Sequence, residues 1–303
     1  MVRAGVGPLR IAYLACAVTL PGAVNRRVDA FEHDQTMEAL TAAFAPQGDE
    51  VEAIAWDDPR ADFAAYDAAV IGTTWDYWDR HAEYLSTLRR IERLTRLYNP
   101  SSLVAWNSDK GYLAELEARG VPIPPTRFLE RATPEAIAGV FDALGVGVDG
   151  EIVVKRRVGA GAAGQHRLRR GQPVPAMREP MLVQPFLPSI LAEGELSFVF
   201  VDGDLSHALQ KRPRRGDYRV QSAFGGEQVA LEARADDVAS ARAVLDRLDV
   251  LPLYARVDMV RGEGGRLALM ELEVIEPFLY PLQGPRLGAM MHAALRRRCV
   301  RPR

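Results

Sequence analysis

Ile152-Val153-Val154-Lys155, followed closely by Gly159-Ala160-Gly161-Ala162-Ala163-Gly164, is the stretch on which the fold turns. An apolar strand carries a lysine to its end. The small residues after it let the backbone bend closely over a ligand and offer it N–H groups. A strand-end lysine beside such a loop can neutralise phosphate. No GxxxxGK[ST] pattern occurs in the chain, so this is not a P-loop. Taken alone, the stretch fits a merely flexible hairpin equally well.

The lysine matters because it is rare. Of 38 lysine and arginine residues only three are lysines: Lys110, Lys155 and Lys211. Lysine is a compact point charge and arginine a planar fork. A chain that uses arginine almost everywhere keeps lysine either by chance or where an ammonium is needed.

Downstream, Asp258 lies on one expected strand, with Glu271, Glu273 and Glu276 on and just after the next. Glu271 and Glu273 are two apart and share one face of a strand, and Asp258 can reach that face across the turn at residues 262–265. Three carboxylates converging there would repel unless a cation sat among them. The competing reading is a solvated hairpin with its acids in water and Leu267, Leu269, Leu272 and Val274 on the other face. A basic run, Lys211-Arg212-Pro213-Arg214-Arg215-Gly216-Asp217-Tyr218-Arg219, suits a clamp on the terminal phosphates of a metal-bound nucleotide better than a nucleic-acid surface.

Upstream, strands at residues 9–18, 51–56 and 68–73 alternate with helices, one capped by Asp29 and running to Phe44, the other over 81–94. That order predicts a small doubly wound α/β domain. One helix is expected over 106–120, closed by its glycine, and a second after Thr133-Pro134-Glu135. The remainder reads as mostly antiparallel, with a hairpin at Asp202-Gly203-Asp204, a helix over 236–248, strands at 253–260 and 266–274, and a final basic helix over 288–298. The fold class is therefore α/β together with α+β.

The ordered set resembles the ATP-grasp superfamily, in particular its glutathione-synthetase-like branch, over roughly residues 103–280. The resemblance implies an N-terminal pre-ATP-grasp α/β domain over residues 1–105, a central subdomain with the glycine-rich loop over 106–186, and a C-terminal subdomain with the metal site over 187–303. It also implies ATP and Mg2+. Lys110 and Lys155 take the places of the two nucleotide lysines, and Gly159, Gly161 and Gly164 belong to the loop over the phosphates. Gln184, Phe186 and Leu187 match the hinge that reads adenine, and Glu195 the acid on the ribose. Lys211 and Arg219 fall near the transferred phosphate, and Asp258, Glu271 and Glu273 match the magnesium ligands. Ser197 stands where glutathione synthetases have an arginine, and Glu273 where they usually have asparagine. The run Glu271-Leu272-Glu273-Val274-Ile275-Glu276-Pro277, with Gly72-Thr73-Thr74-Trp75-Asp76-Tyr77 upstream, is more similar to O-ureido-serine cyclo-ligases of cycloserine biosynthesis.

These matches imply phosphorylation of a carboxylate-like group, then C–N bond formation or cyclisation, with release of ADP and phosphate. A small amino-acid-like substrate is expected against Trp75, Asp76 and Tyr77, at the strand ends where α/β sheets bind ligands. A structural aromatic corner with a capping aspartate explains the same three residues. A protein- or peptide-modifying amino-acid ligase and a nucleotide-binding module without turnover stay open, as does a homo-oligomeric state.

The bulk numbers are ordinary for a soluble globular protein: 48% hydrophobic and 26% charged residues, and a net charge of −2 that gives no general attraction to nucleic acid or anionic membrane. Cys16 and Cys299 form neither a disulfide framework nor a zinc spacing, which fits a cytoplasmic setting. The apolar run 11–20 after Arg3 and Arg10 loosely resembles a signal peptide but is expected to be a buried first strand. No other stretch is long enough to span a membrane.

Overall fold

The computed structural model describes residues 7–300, so Arg3 lies outside the described residues. The run after Arg10 forms β1 (Arg10–Ala15), which pairs in parallel with β2 (Glu50–Ala55) and β3 (Ala68–Ile71); β4 (Arg96–Tyr98) completes the order β2-β1-β3-β4. Strands buried on both faces alternate their side chains between two cores. Ile11 and Tyr13 pack with Leu40 and Phe44 of α1 (Phe31–Phe44), whereas Ala12 and Leu14 pack with Tyr84, Leu88 and Ile91 of α2 (His81–Leu94). Asp29 does not cap α1: Ala30 occupies the cap, and both Asp29 oxygens accept from Arg27.

The single helix expected over 106–120 is two, α3 (Ser101–Asn107) and α4 (Tyr112–Ala118). Asn107 ties the first to the neighbouring strand, donating to the Leu272 carbonyl at 2.8 Å and accepting from the Val274 N–H. Asp109 then accepts from Gly111 N–H and from Arg157, turning the chain so that Lys110 sits in the break.

A second sheet contains β5 (Arg127–Leu129), β6 (Glu151–Arg156), β7 (His166–Arg169) and β8 (Met181–Pro185), antiparallel in the order β5-β8-β6-β7. Its apolar face packs on α5 (Pro134–Ala143), whose first turn is capped by Thr133 as the sequence suggests. After the short α6 (Ser189–Ala192), a third sheet takes β9 (Glu195–Val201), β10 (Asp204–Arg212), β11 (Glu227–Leu231), β12 (Tyr254–Arg261) and β13 (Leu267–Glu273), in the antiparallel order β11-β10-β9-β12-β13.

One face of this sheet, including Leu196, Phe198, Val257 and Leu272, packs against α4 and α7 (Ala235–Leu245). The other face is divided. Val199, Val201 and Leu209 pack toward α8 (Leu287–Val300), while Glu195, Ser197 and Lys211, farther along the same strands, are polar. Helix α8 leaves the third sheet and packs on α1, with Gly288 so close to the Ala39 carbonyl that a Cβ would lie 2.2 Å from its oxygen. Asn99 adds a second tie between sheets, donating to the carbonyls of Tyr254 and Val274 and accepting from Leu253 N–H at 2.7 Å.

Candidate active site

Where the three sheets meet there is a cavity of about 370 Å³. All three lysines of the chain line it. Lys110 donates to the Gly159 carbonyl at 2.6 Å and pairs with Glu271 at 3.0 Å. Burial would lower its affinity for a proton, but Glu271 outweighs that and raises its pKa. Lys155 differs. Its ammonium meets Gln184 Oε1 at 3.2 Å and has no ion pair among the described residues, and burial lowers its pKa.

Gly159 and Gly161 line the cavity, and Gly161 has a φ of +59°. Gly164 does not line it; a Cβ there would meet Arg156 Nε at 2.5 Å, so its part is to let the loop fold against Arg156. Gln184, Phe186 and Leu187 form another wall. The Phe186 N–H is spent on the Glu151 carbonyl at 2.8 Å, whereas the Leu187 N–H meets no acceptor among the described residues. Arg167 lies 3.6 Å over the Phe186 ring, and Tyr218 meets that ring edge-on at 6.0 Å.

The acidic strand has a feature hidden in its spacing. Leu267, Leu269, Glu271 and Glu273 are all two apart and would share one face of a regular strand. The pairing with β12 shifts, so that Met259 faces Leu269 and Asp258 faces Glu271, leaving Met270 as an extra residue. This β-bulge turns Glu271 and Glu273 to the cavity while Leu267 and Leu269 stay in the core. The solvated-hairpin reading therefore fails.

Asp258 is in the cavity wall but already neutralised. It accepts from Ser197 Oγ at 2.6 Å, Lys211 Nζ at 2.9 Å and Arg256 Nη2 at 2.9 Å. Burial would raise its pKa, but Arg256 and Lys211 hold it well below the usual carboxylate range. Lys211 also pairs with Glu195 at 2.5 Å, so Glu195 is engaged as well, although burial still raises its carboxyl. Arg256 spans from Asp258 to Glu273. Burial nevertheless pushes the Glu273 carboxyl up to about 7, with Asp258 and Glu271 adding repulsion and Arg256 only partly opposing it. Arg219 lines the cavity, paired with Asp217 at 2.8 Å and stacked 3.6 Å over Phe224.

No group of three acids, histidines or cysteines among the described residues is placed to hold a metal unaided. Glu271 and Glu273 supply hard oxygens on one wall beside an ammonium suited to phosphate. That donor set fits a cation shared with phosphate oxygens rather than an all-protein cage.

On the remaining side, Trp75 and Tyr77 line the cavity. The Trp75 indole donates to the Glu276 carbonyl at 3.0 Å. Asp76 is not brought there; its carboxylate accepts from the Trp56 indole at 2.8 Å, a structural use. Sequence reasoning missed Arg256, two residues before Asp258 and thus on the same strand face, a spacing that was available. It also missed Arg27, Asp29 and Glu32 of the segment after β1, which line the cavity through the tertiary fold alone.

A parallel α/β sheet, two antiparallel sheets and a lysine- and carboxylate-lined cavity between them define an ATP-grasp ligase. Among solved structures, the chain matches D-cycloserine synthetase DcsG with a TM-score of 0.80 at 29% identity, covering 96% of this chain and 99% of that one. The D-alanine–D-alanine ligase of Bacillus anthracis in complex with ATP shares the fold, with a TM-score of 0.65 at 14% identity over 96% and 97% of the two chains.

In sequence, residues 11–99 match the D-cycloserine synthetase DcsG N-terminal domain. The cycloserine biosynthesis protein DcsG of Streptomyces lavendulae is 33% identical over 267 residues, 81% of this chain and 88% of the relative. A glutathione synthetase of Prochlorococcus marinus is 28% identical over 65% of this chain and 62% of its own. The chain belongs to the DcsG family of ATP-grasp ligases. No helix among the described residues is long and apolar enough to cross a membrane.

Proposed function

We propose that this protein is an ATP- and magnesium-dependent cyclo-ligase that phosphorylates the carboxylate of a small amino-acid-like substrate and closes a C–N bond, in the manner of an O-ureido-serine cyclo-ligase. The observation that carries the reading is the cavity's division of charge, with an unpaired ammonium, Lys155, on one wall and Glu271 and Glu273 on another. The 33% identity to DcsG supports the substrate class.

Lys155 and Lys110, with the loop at residues 159–163, would hold the phosphates, and the Leu187 N–H, which meets no acceptor among the described residues, would donate to the base. Lys211 and Arg219 would steady the transferred phosphoryl group. Glu271 and Glu273, joined by Asp258 as it releases one of its cations, would hold magnesium, which when bound neutralises phosphate charge. Substrate carboxylate oxygen attacks the γ-phosphorus, ADP leaves, and the acyl phosphate remains in the cavity. Arg256, buried and aimed at the same wall, is placed to stabilise negative charge when nitrogen attacks the acyl carbon and phosphate departs.

The test is turnover across small amino acids and their ureido and hydroxamate derivatives. ADP and phosphate are expected in amounts equal to product with at least one O-ureido acid. AMP and pyrophosphate would exclude the mechanism.

A further inference from the structure

The segment that follows β13 is pinned at three successive carbonyls. Asn99 Nδ2 donates to the Val274 oxygen at 2.7 Å. Tyr254 Oη, which also meets the Ile71 oxygen, reaches that of Ile275 at 2.7 Å, and the Trp75 indole donates to that of Glu276 at 3.0 Å. Ile275 is buried with Leu14 and Ile71 of the first sheet, so the residue after it is presented where the first and third sheets meet. Fixed backbone on this scale holds the Glu276 side chain in one place on the cavity wall.

The fold leaves this carboxyl unused. Glu276 is 9% exposed and has no ion pair among the described residues, and the hydrogen bond it receives comes from its own backbone N–H. Lys110 is the cation that acts on it most, but Lys110 is committed to Glu271 at 3.0 Å and to the Gly159 carbonyl. Tyr77 lines the same cavity, 4% exposed, with its ring held against Tyr84 at 5.3 Å. Its hydroxyl has no hydrogen-bond partner among the described residues, and Glu276 is the charge that acts on it most strongly. A buried phenol and a buried carboxyl without partners are costly unless a ligand supplies them. An acceptor and a neutral donor together suit a group that has an N–H next to a C=O.

We propose that Glu276 is the catalytic residue of the second chemical step, taking the proton of the nitrogen that attacks the acyl phosphate, while the Tyr77 hydroxyl donates to the carbonyl oxygen beside that nitrogen. The proposal rests on the acyl-phosphate reading above and supplies the base which that reading lacks. The nitrogen lone pair forms the C–N bond, and the N–H proton passes to a carboxylate oxygen of Glu276. The C–O bond to phosphate breaks with its electron pair on the phosphate, which takes the proton from Glu276 as it leaves. Burial and the neighbouring Glu273 raise the Glu276 carboxyl, which makes it a stronger proton acceptor than an exposed glutamate, and Lys110 opposes the rise in favour of the ionised form. In an O-ureido acid the attacking nitrogen carries one N–H and adjoins a carbonyl, which matches the pair.

The experiment separates the two steps, with O-ureido-serine as the acid. ADP, product and, with hydroxylamine added, the hydroxamate formed by trapping the acyl phosphate are measured for wild type, Glu276→Gln and Tyr77→Phe. Glu276→Gln should lose at least about a hundredfold in product formation, while its hydroxamate formation stays within about threefold of wild type. Without hydroxylamine its ADP should exceed its product, against equal amounts in wild type. Tyr77→Phe should show the same split at about tenfold. The magnesium concentration for half-maximal hydroxamate formation should be the same in Glu276→Gln as in wild type. Hydroxamate formation also shows that a variant is folded, and Tyr77→Phe reads the split independently of Glu276→Gln. Equal losses of product and hydroxamate in variants that still melt cooperatively, or a raised magnesium requirement in Glu276→Gln, would overturn the assignment and leave the ligase reading intact. Neither ADP nor hydroxamate from wild type would overturn the ligase reading itself, and the assignment with it.

Discussion

Lys155 and Lys211 line one cavity, yet removing their charges should have opposite consequences for stability. The perturbation is Lys→Met at each position, which keeps most of the aliphatic stem and deletes the ammonium. The Lys155 ammonium hydrogen-bonds the Gln184 amide oxygen and has no ion pair among the described residues, so Lys155→Met relieves a buried, unpaired charge and should leave the melting temperature of the nucleotide-free protein unchanged or higher. Lys211 lies between Glu195 at 2.5 Å and Asp258 at 2.9 Å, with 4% of its side chain exposed. Breaking a buried pair on one side leaves uncompensated charge and costs about 3–5 kcal/mol. Near 2 °C per kcal/mol for a chain of this size, Lys211→Met should melt about 6–10 °C lower.

Nucleotide binding should reverse the order of severity. Lys155→Met forfeits a charge-assisted contact to phosphate, worth about 1.5–3 kcal/mol or roughly ten- to a hundredfold in ATP affinity. Calorimetry of scanning melts and of ATP titrations reads both quantities. A large destabilisation by Lys155→Met, or unchanged ATP affinity, would refute the division into a phosphate-facing lysine and an internally paired one.

Further outcomes follow from the carboxylates and the packing. Glu271→Gln should raise the magnesium concentration for half-maximal turnover at least severalfold and lower the metal-free melting temperature, because buried Lys110 loses its carboxylate partner; an unaltered magnesium requirement would move the metal elsewhere. Glu273 is pushed up to about 7 from 4.5, so its proton favours the folded state below the unfolded value and that support is lost as pH rises through 7. On the order of 3 kcal/mol should disappear from the metal-free protein between those limits, and Glu273→Gln should flatten this part of the melting profile; parallel wild-type and variant profiles would contradict the shift. Asn99→Ala should destabilise by about 2–4 kcal/mol without changing ATP affinity, because the Leu253, Tyr254 and Val274 backbone groups lose their partner in the interior.

What was legible in the sequence was local. Lysine at the end of a short apolar strand, the hairpin at Asp202-Gly203, and Thr133 before Pro134 each carry their structural cause within a few residues. The scarcity of lysine also pointed to one place, because all three line one cavity. What escaped depended on contacts distant in sequence. The break that places Lys110 is set by Asn107 bonding to a strand 165 residues away. The bulge at Met270 separates two leucines from two glutamates of identical spacing, and only the pairing with β12 reveals it. Arg256 was concealed by composition, one arginine among many, although its position two before Asp258 put it on the right face. Glu32 reads in sequence as an ordinary first-turn acid of a helix; its burial comes from the loop carrying Ser222.

The central claim is that this chain activates a carboxylate by transferring the γ-phosphoryl group of ATP to it. The direct measurement uses an O-ureido acid with 18O in both carboxylate oxygens, incubated with ATP, magnesium and the protein, and follows the isotope shift in the phosphorus spectrum. One 18O atom should appear in each inorganic phosphate released with product, and none in ADP. Unlabelled phosphate accompanying product, or label recovered in AMP, would contradict the account.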